Sequence, residues 1–257
     1  MSALTPAQLV ALWEKGSGVP EWRRALAMID AGSDSAGGSG GGSGKDRFKA
    51  LRKLPLGKRN ARLLAMRRDT IGPDLRAFVK CPNCSEPLEF EQSIGELLDG
   101  HGDPFDKPKT TEFTFEAGGV EMTCRLHDSS DLEATASLLF EDEIADALID
   151  RAVIEARMAG EAIPAAGLSE EVRARISEEL EQRDPLSHPA IPLGCAACDH
   201  VWKAPIDVPA FFWTEIERQV RAVLDDVVTL ARGYGWREND ILEMGASRRQ
   251  LYLDALE

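Results

Sequence analysis

Apolar residues recur at three- and four-residue steps through "VPAFFWTEIERQVRAVLDDVVTLARGYGW", where Phe212, Ile216, Val220, Val223, Val227 and Leu230 fall on one face. That period predicts a long amphipathic helix, ending near Gly233, with two short helices after it in "ENDILEM" and "SRRQLYLDAL". The same period opens the chain. Thr5 is placed to cap a helix with Pro6 at its first position and Gln8 as capping-box partner, and Leu9, Leu12 and Trp13 form its stripe. "VPEWRRALAMIDAG" predicts a second helix carrying Trp22, Leu26 and Ile29 and stopped by Gly32. A third, over "KRNARLLAMRRDTI", turns Leu63, Leu64, Met66 and Ile71 inward, leaves Arg59, Arg62, Arg67 and Arg68 mostly outward, and breaks at Gly72-Pro73.

Elsewhere the period is two. "PLEFEQSI" reads as a short strand, and "EFTFEAGGVEMTCRL" as a hairpin. In it Phe113 and Phe115 alternate on the way out, Gly118-Gly119 turns, and Val120, Met122, Cys124 and Leu126 alternate on the return. "HDSSDLEATASLL" begins a helical region capped by Asp128, Ser129 or Ser130. Residues 132–184 read as acidic and helical, broken at "GEAIPAAGLSEE", before "DPLSHPAIP" ends the region. "GSDSAGGSGGGSGK" holds no apolar residue larger than Ala and reads as a flexible tether.

With 257 residues and 43% hydrophobic content the chain can bury a sizeable core. No apolar run approaches the ~18 residues that would span a bilayer. "MSALTPAQLVALWEKG" lacks the basic start and unbroken apolar stretch of a secretion signal, so a cytoplasmic protein is expected. The net charge of −14 is uneven: Lys45 to Lys80 holds twelve Lys or Arg against three Asp, a surplus of nine that leaves −23 on the remainder. Such asymmetry points to nucleic acid, to an acidic partner, or to pairing between the two regions.

Four of the five cysteines form two C-x-x-C pairs, "CPNC" (Cys81, Cys84) and "CAAC" (Cys195, Cys198). A cytoplasmic chain is poor ground for disulfides, whereas four thiolates suit a tetrahedral zinc ion. The 110 residues between the pairs exceed the usual ribbon spacing of ~15–20, but closure entropy grows slowly with length. Strand-like segments follow each pair, and the 112–126 hairpin is expected to complete their sheet. Ser85 and Asp199 follow the second cysteines, where a left-handed backbone is needed. The rival readings are thioredoxin-like redox chemistry, merely reduced buried cysteines, and a catalytic zinc with His200 as a replacement ligand. Pro82, Pro87 and the second pair speak against the redox reading.

No catalytic constellation accompanies the cysteines. Cys124 reads as a small apolar residue on a strand; His101, His127 and His188 lack ligand spacing; Glu141, Asp142 and Glu143 are ordinary for an acidic helix; and the glycine tract at 37–44 lacks the strand and helix of a phosphate loop. A non-enzyme is expected. The arginines 59, 62, 67 and 68 could form a basic patch for nucleic acid, but the pI near 4.8 and the absence of interleaved aromatics favour a solvated or protein-facing surface.

The closing segment "PAFFWTEIERQVRAVLDDVVTLARGYGWRENDILEMGASRRQLYLDAL", with its "LARGYGW", "ILEM" and "RRQLYL", resembles small baseplate-assembly proteins of contractile phage tails and related extracellular injection systems. "LWEKG…PEWRRALAMI", "LPLGKRNARLLAMRRDTIGPDLRAFVKCPNC" and "GCAACDHVW" resemble longer, zinc-ribbon-bearing members of such gene clusters. The resemblance implies a structural or assembly protein that docks on baseplate or tail-hub partners, with zinc as an added scaffold and incorporation into a phage-tail-like particle. Trp236, Arg248, Arg249 and Tyr252 are of residue types enriched at interface anchors, whereas Trp213 and Tyr234 read as core. The alternative is a zinc-ribbon adaptor binding nucleic acid through residues 45–80.

The expected fold is α+β and predominantly helical: a helical piece (1–32), a linker (33–45), a basic helical segment (46–80), a split four-cysteine zinc ribbon (81–128 with 190–208), an acidic helical insertion (129–189) and a helical C-terminal region (209–257).

Overall fold

The computed structural model describes residues 3–34, 44–106 and 110–256. Four helices open the chain, α1 (Pro6–Gly16), α2 (Glu21–Asp34), α3 (Gly44–Arg52) and α4 (Leu56–Thr70). The Thr5–Gln8 capping box forms at α1 as expected, while α2 continues through Gly32. The expected linker falls largely outside the described residues, and Gly44 and Lys45 already belong to α3.

A hairpin follows, β1 (Asp74–Lys80) with β2 (Pro87–Ser93), and then a short α5 (Ile94–Leu98). Residues 46–80 are therefore not one helical segment: Gly72-Pro73 ends the helical run, and 74–80, alternating in burial, become a strand.

The next stretch forms a lobe with its own core. Strands β3 (Glu112–Ala117) and β4 (Val120–Arg125) make the expected hairpin, with Ala117 opposite Val120 across the two glycines. Helices α6 (Ser129–Thr135) and α7 (Glu141–Ala152) lead into β5 (Val153–Met158) and β6 (Glu161–Ala162), and α8 (Glu170–Arg183) closes the lobe. The sheet order is β3-β4-β5-β6. Two expectations are corrected here. The 112–126 hairpin joins no cysteine hairpin, because its buried face (Val120, Met122, Cys124) packs with Ala156, Val172 and Ile176. The 129–189 insertion is not all helical either. In "VIEARM" β-branched residues lead a run that supplies β4 with a partner, from Val120 opposite Met158 to Cys124 opposite Val153.

A further hairpin, β7 (Ala190–Gly194) with β8 (Val201–Pro205), returns the chain to the main body. Helix α9 (Val208–Tyr234) is capped by Asp207, whose carboxylate accepts from Ala210 N, and ends at Gly235 in a left-handed conformation. Helices α10 (Glu238–Leu242) and α11 (Ala246–Asp254) fold back on it. The main core joins Leu26, Met28 and Ile29 of α2, Leu63, Leu64 and Met66 of α4, Leu75 of β1, and Phe212, Ile216, Val220 and Leu230 of α9. The lobe meets this body at the start of α4: Leu56 N donates to His127 O at 2.9 Å, Gly57 N to Asp184 Oδ2 at 2.9 Å, and Asn60 Nδ2 to Leu186 O at 2.9 Å.

The outward arginine set is also corrected. Arg59 and Arg67 are buried, Arg62 is half-buried and only Arg68 is exposed. Arg67 holds Glu215 of α9 through two hydrogen bonds of 2.6 and 2.8 Å, and its Nη1 donates to Gly72 O and Asp74 O at 2.7 Å each. One guanidinium thus ties α4, the start of β1 and α9. Removing its carboxylate leaves a buried, unneutralised cation, so Glu215→Ala is expected to lower the unfolding free energy by about 3–5 kcal/mol, with Arg67→Met/Glu215→Leu recovering most of it, as read by chemical denaturation.

In the lobe, Asp131 is fully buried and accepts from Arg125 at 2.6 and 2.8 Å and from Arg151 at 2.7 Å. Burial alone would raise its carboxyl; Arg125, the Asp128 N–H and Arg151 outweigh burial and hold it at about 2, below the ordinary 3.8. A depressed pKa contributes stability above the unfolded value that is lost as pH falls through the folded one. About 2 kcal/mol should therefore disappear between about pH 5 and pH 2, and Asp131→Asn should flatten that part of the stability profile.

Candidate metal centre

Each C-x-x-C pair bridges the tip of a two-stranded hairpin, and the two tips repeat one local geometry. Cys81 N donates to Glu86 O and Ser85 N to Cys81 O, both at 2.9 Å; Cys195 N donates to His200 O at 2.9 Å and Asp199 N to Cys195 O at 2.8 Å. The turn passes through the left-handed region at Ser85 (φ 63°) and Asp199 (φ 55°). This conformation costs a non-glycine residue energy, less for Asp than for Ser. Both tips adopt it at the same position, which brings their two sulfurs to one side.

The two tips face each other. Cys81 Sγ lies 3.7 Å from Cys198 Sγ and Cys84 Sγ 3.6 Å from Cys195 Sγ, and all four sulfurs fall within 4.8 Å of one another. Metal–sulfur bonds of about 2.3 Å in a tetrahedron give sulfur–sulfur edges of about 3.8 Å, so the cluster has the dimensions to take one ion. Cys81 and Cys195 are buried, Cys198 half-buried and Cys84 exposed. Without an ion the thiols compete for protons. The Asn83 side-chain amide, 3.5 Å from the Cys198 sulfur, and then the His200 backbone N–H pull that thiol down to about 6. Cys84 rises to about 12, the Glu86 N–H that favours its thiolate being outweighed by its hydrogen bonds to Cys198, Cys195 and Cys81 together with desolvation. A dication removes this competition by replacing every proton.

The C-x-x-C spacing thus brings together the four expected ligands, Cys81, Cys84, Cys195 and Cys198. His200 does not join them; its ring stacks on Trp202 at 5.8 Å. Cys124 lies in the lobe core, its thiol pushed to about 11 by burial. Asn83 was not singled out from sequence, although its place between the first two cysteines was the available signal.

The residues expected to contact partners pack against one another. Trp236 stacks on Tyr234 at 4.5 Å and meets Tyr252 edge-on at 4.7 Å, and Arg248 lies over the Tyr252 ring at 5.7 Å. Arg249 is removed from that set: it is buried, paired with Asp226 at 3.2 Å and bonded to Met244 O at 2.8 Å. Trp213 is core, as expected, against Gly16, where an added Cβ would come within 2.4 Å of its ring.

Comparison with known protein families, with curated proteins and with solved structures finds no match to this chain.

The purified protein is expected to carry one metal ion per chain by elemental analysis. Cys195→Ser should lower that content and the melting temperature, Cys124→Ser should leave the metal content unchanged, and acidification should release the ion as protons reclaim the sulfurs.

Proposed function

We propose that the chain is a non-enzymatic scaffold stapled by a structural zinc ion, its cysteine hairpins acting as the halves of a split zinc ribbon. It serves by docking other proteins in a contractile-tail or injection-system baseplate. The scaffold reading is carried by the saturated sulfur shell, since four thiolates fill a tetrahedral ion and leave no position for the water or substrate that a catalytic zinc keeps. An all-thiolate donor set is one that zinc favours. Among the described residues no other group of three or more His, Cys, Asp or Glu side chains converges within ligand distance.

The docking reading draws on large apolar side chains left in solvent, with Phe78 79%, Leu139 87% and Phe140 67% exposed. The baseplate assignment rests on the resemblance of "LARGYGW", "ILEM" and "RRQLYL" to the tail-assembly proteins. Nucleic acid is the weaker reading, because Arg59 and Arg67 are buried and cannot reach phosphates.

Co-expression with the genes that flank it, followed by isolation of tail-like particles and their intermediates, tests the assignment by mass spectrometry. The chain is expected in baseplate fractions at fixed stoichiometry, and baseplates should fail to form when it is omitted. Intact baseplates made without it would overturn the reading.

A further inference from the structure

A groove of about 510 Å³ runs between β1, β8 and the start of α9. Consecutive β1 residues from Leu75 to Val79 line it, so it follows the edge of the strand rather than one face. The hydrogen-bond pattern identifies what that edge offers. Pro73 O accepts from Ile94 N and Cys81 N donates to Glu86 O, one rung at each end of the hairpin. Rungs alternate in an antiparallel pair, so Leu75, Ala77 and Val79 bond to β2, while the main-chain groups of Arg76 and Phe78 point outward. Among the described residues nothing outside the hairpin bonds to them.

The same reasoning makes the other strands of the two hairpins poor edges. β2 points Pro87, Glu89 and Glu91 outward, β7 points Pro192 and β8 points Pro205. Prolines at these outward positions, which have no N–H to offer, block strand addition. The groove also carries a cation on its wall: Arg218 is exposed, and its contact with Glu215 is a long 3.8 Å to a carboxylate already held by Arg67.

A matching segment lies elsewhere on the molecule. Between α6 and α7, Leu138, Leu139 and Phe140 form a non-helical run, with Phe140 extended (φ −103°, ψ 133°). Leu139 and Phe140 are the exposed pair noted above, and Glu141, Asp142 and Glu143, all exposed, follow directly. Two exposed apolar residues followed by the acidic first turn of α7, this corner complements an apolar groove with a free strand edge, where Arg218 has only a long contact to Glu215 and Asp207 is occupied in capping α9.

We propose that the α6–α7 corner of one copy, Leu138–Phe140 followed by the first turn of α7, docks on the β1 edge of a second copy, its apolar side chains in the groove and Glu141–Glu143 toward Arg218, so that the protein associates head to tail. Within the corner Leu138 N already donates to Thr135 O and Phe140 O accepts from Ile144 N, so main-chain bonding reduces to one rung, Leu139 against Phe78, while Phe78, Phe90 and Phe211 receive the side chains. Such a contact is heterologous, leaving a free groove at one end and a free segment at the other, and it grows into a ring or an open row according to the rotation it imposes. An interface this short lies below ~1,200 Å², so association depends on concentration. The inference is independent of which assembly the protein serves, and a protein absent from baseplates could still pass the following test.

The test is sedimentation equilibrium of the full chain with two variants, Phe78→Asp in the groove and Leu139→Asp/Phe140→Asp in the segment, each checked for circular dichroism and metal content. The wild type is expected to gain mass with concentration and each variant alone to remain monomeric. An equimolar mixture of the variants should form a dimer and stop there, because it retains one intact groove and one intact segment. A labelled peptide of residues 136–145, titrated against wild-type protein, should bind saturably and lose at least tenfold in affinity to Arg218→Glu; this measurement stands if a variant fails to fold. A wild type that stays monomeric and does not bind the peptide overturns the proposal and leaves the groove to a foreign segment. Self-association that both variants retain overturns it equally.

Discussion

Two hairpins that start 116 positions apart, at Asp74 and Ala190, must bring their tips together before four sulfurs can share an ion. Everything else in the fold answers to that constraint. A two-stranded hairpin is marginal by itself, and ligands held near one another beforehand cost less ordering when an ion binds. Helix α4 does the gathering. Its first turn has main-chain N–H groups with no partner inside the helix, and the lobe's two ends supply acceptors, His127 O at entry and the Asp184 carboxylate at exit. The close approach demands glycine at 57, where a Cβ would meet Asp184 Oδ1 at 1.9 Å. At the other end of α4, Arg67 fixes the chain as it enters β1. The helix therefore sets the separation of the two hairpin roots, one from each end, and the 110 residues between the cysteine pairs behave as a folded bracket instead of a loop.

The uneven charge acquires a physical meaning in this arrangement. Part of the surplus on residues 45–80 faces the acidic excursion and its entry: Arg52 pairs with Glu133, and Lys53 with Asp128 at 3.1 Å. Another part is internal, since Arg67 closes a buried pair and Arg59 is desolvated enough to lower its guanidinium to about 10 while its Nε and Nη2 donate to Asn60 Oδ1. Exposed pairs of this kind add little stability each. Their effect is orientation, holding the lobe against the α3–α4 corner.

Much of this was legible in the chain because the signals were local. The Thr5–Gln8 box, the Gly118-Gly119 turn, the α9 stripe and the repeated C-x-x-C tips each arise within a few residues, and each appears where the pattern put it. What was missed depended on neighbours. Arg59 and Arg67 occupy positions that a helical wheel reads as solvent, and their burial is tolerated because distant carboxylates meet them, Glu215 at Arg67 and Asp207, Glu21 and Asp184 around Arg59. "VIEARM" continues a helical composition, and became a strand because β4 offered an unpaired edge. Arg249, read as an anchor, found Asp226 on the adjacent helix. The four-cysteine cluster was readable and the sheet around it was not: two residues between cysteines suffice to shape a tip, whereas nothing within the 112–126 hairpin states which core it will cover.

A metal staple at these tips would also change what the hairpins can present. A sheet that depended on further strands for stability would have to bury its edges, and its outward main-chain groups would be occupied. The tips of the two hairpins meet through their sulfurs and Leu75 anchors β1 in the core, so β1 can keep one side open. The free edge beside Phe78 is thus a consequence of how the hairpin is held, and an edge held rigid loses less entropy on receiving a strand than a flexible one would. An ion held by the four sulfurs would fix the distance between the two hairpins, and with it the shape of the groove along β1, β8 and α9.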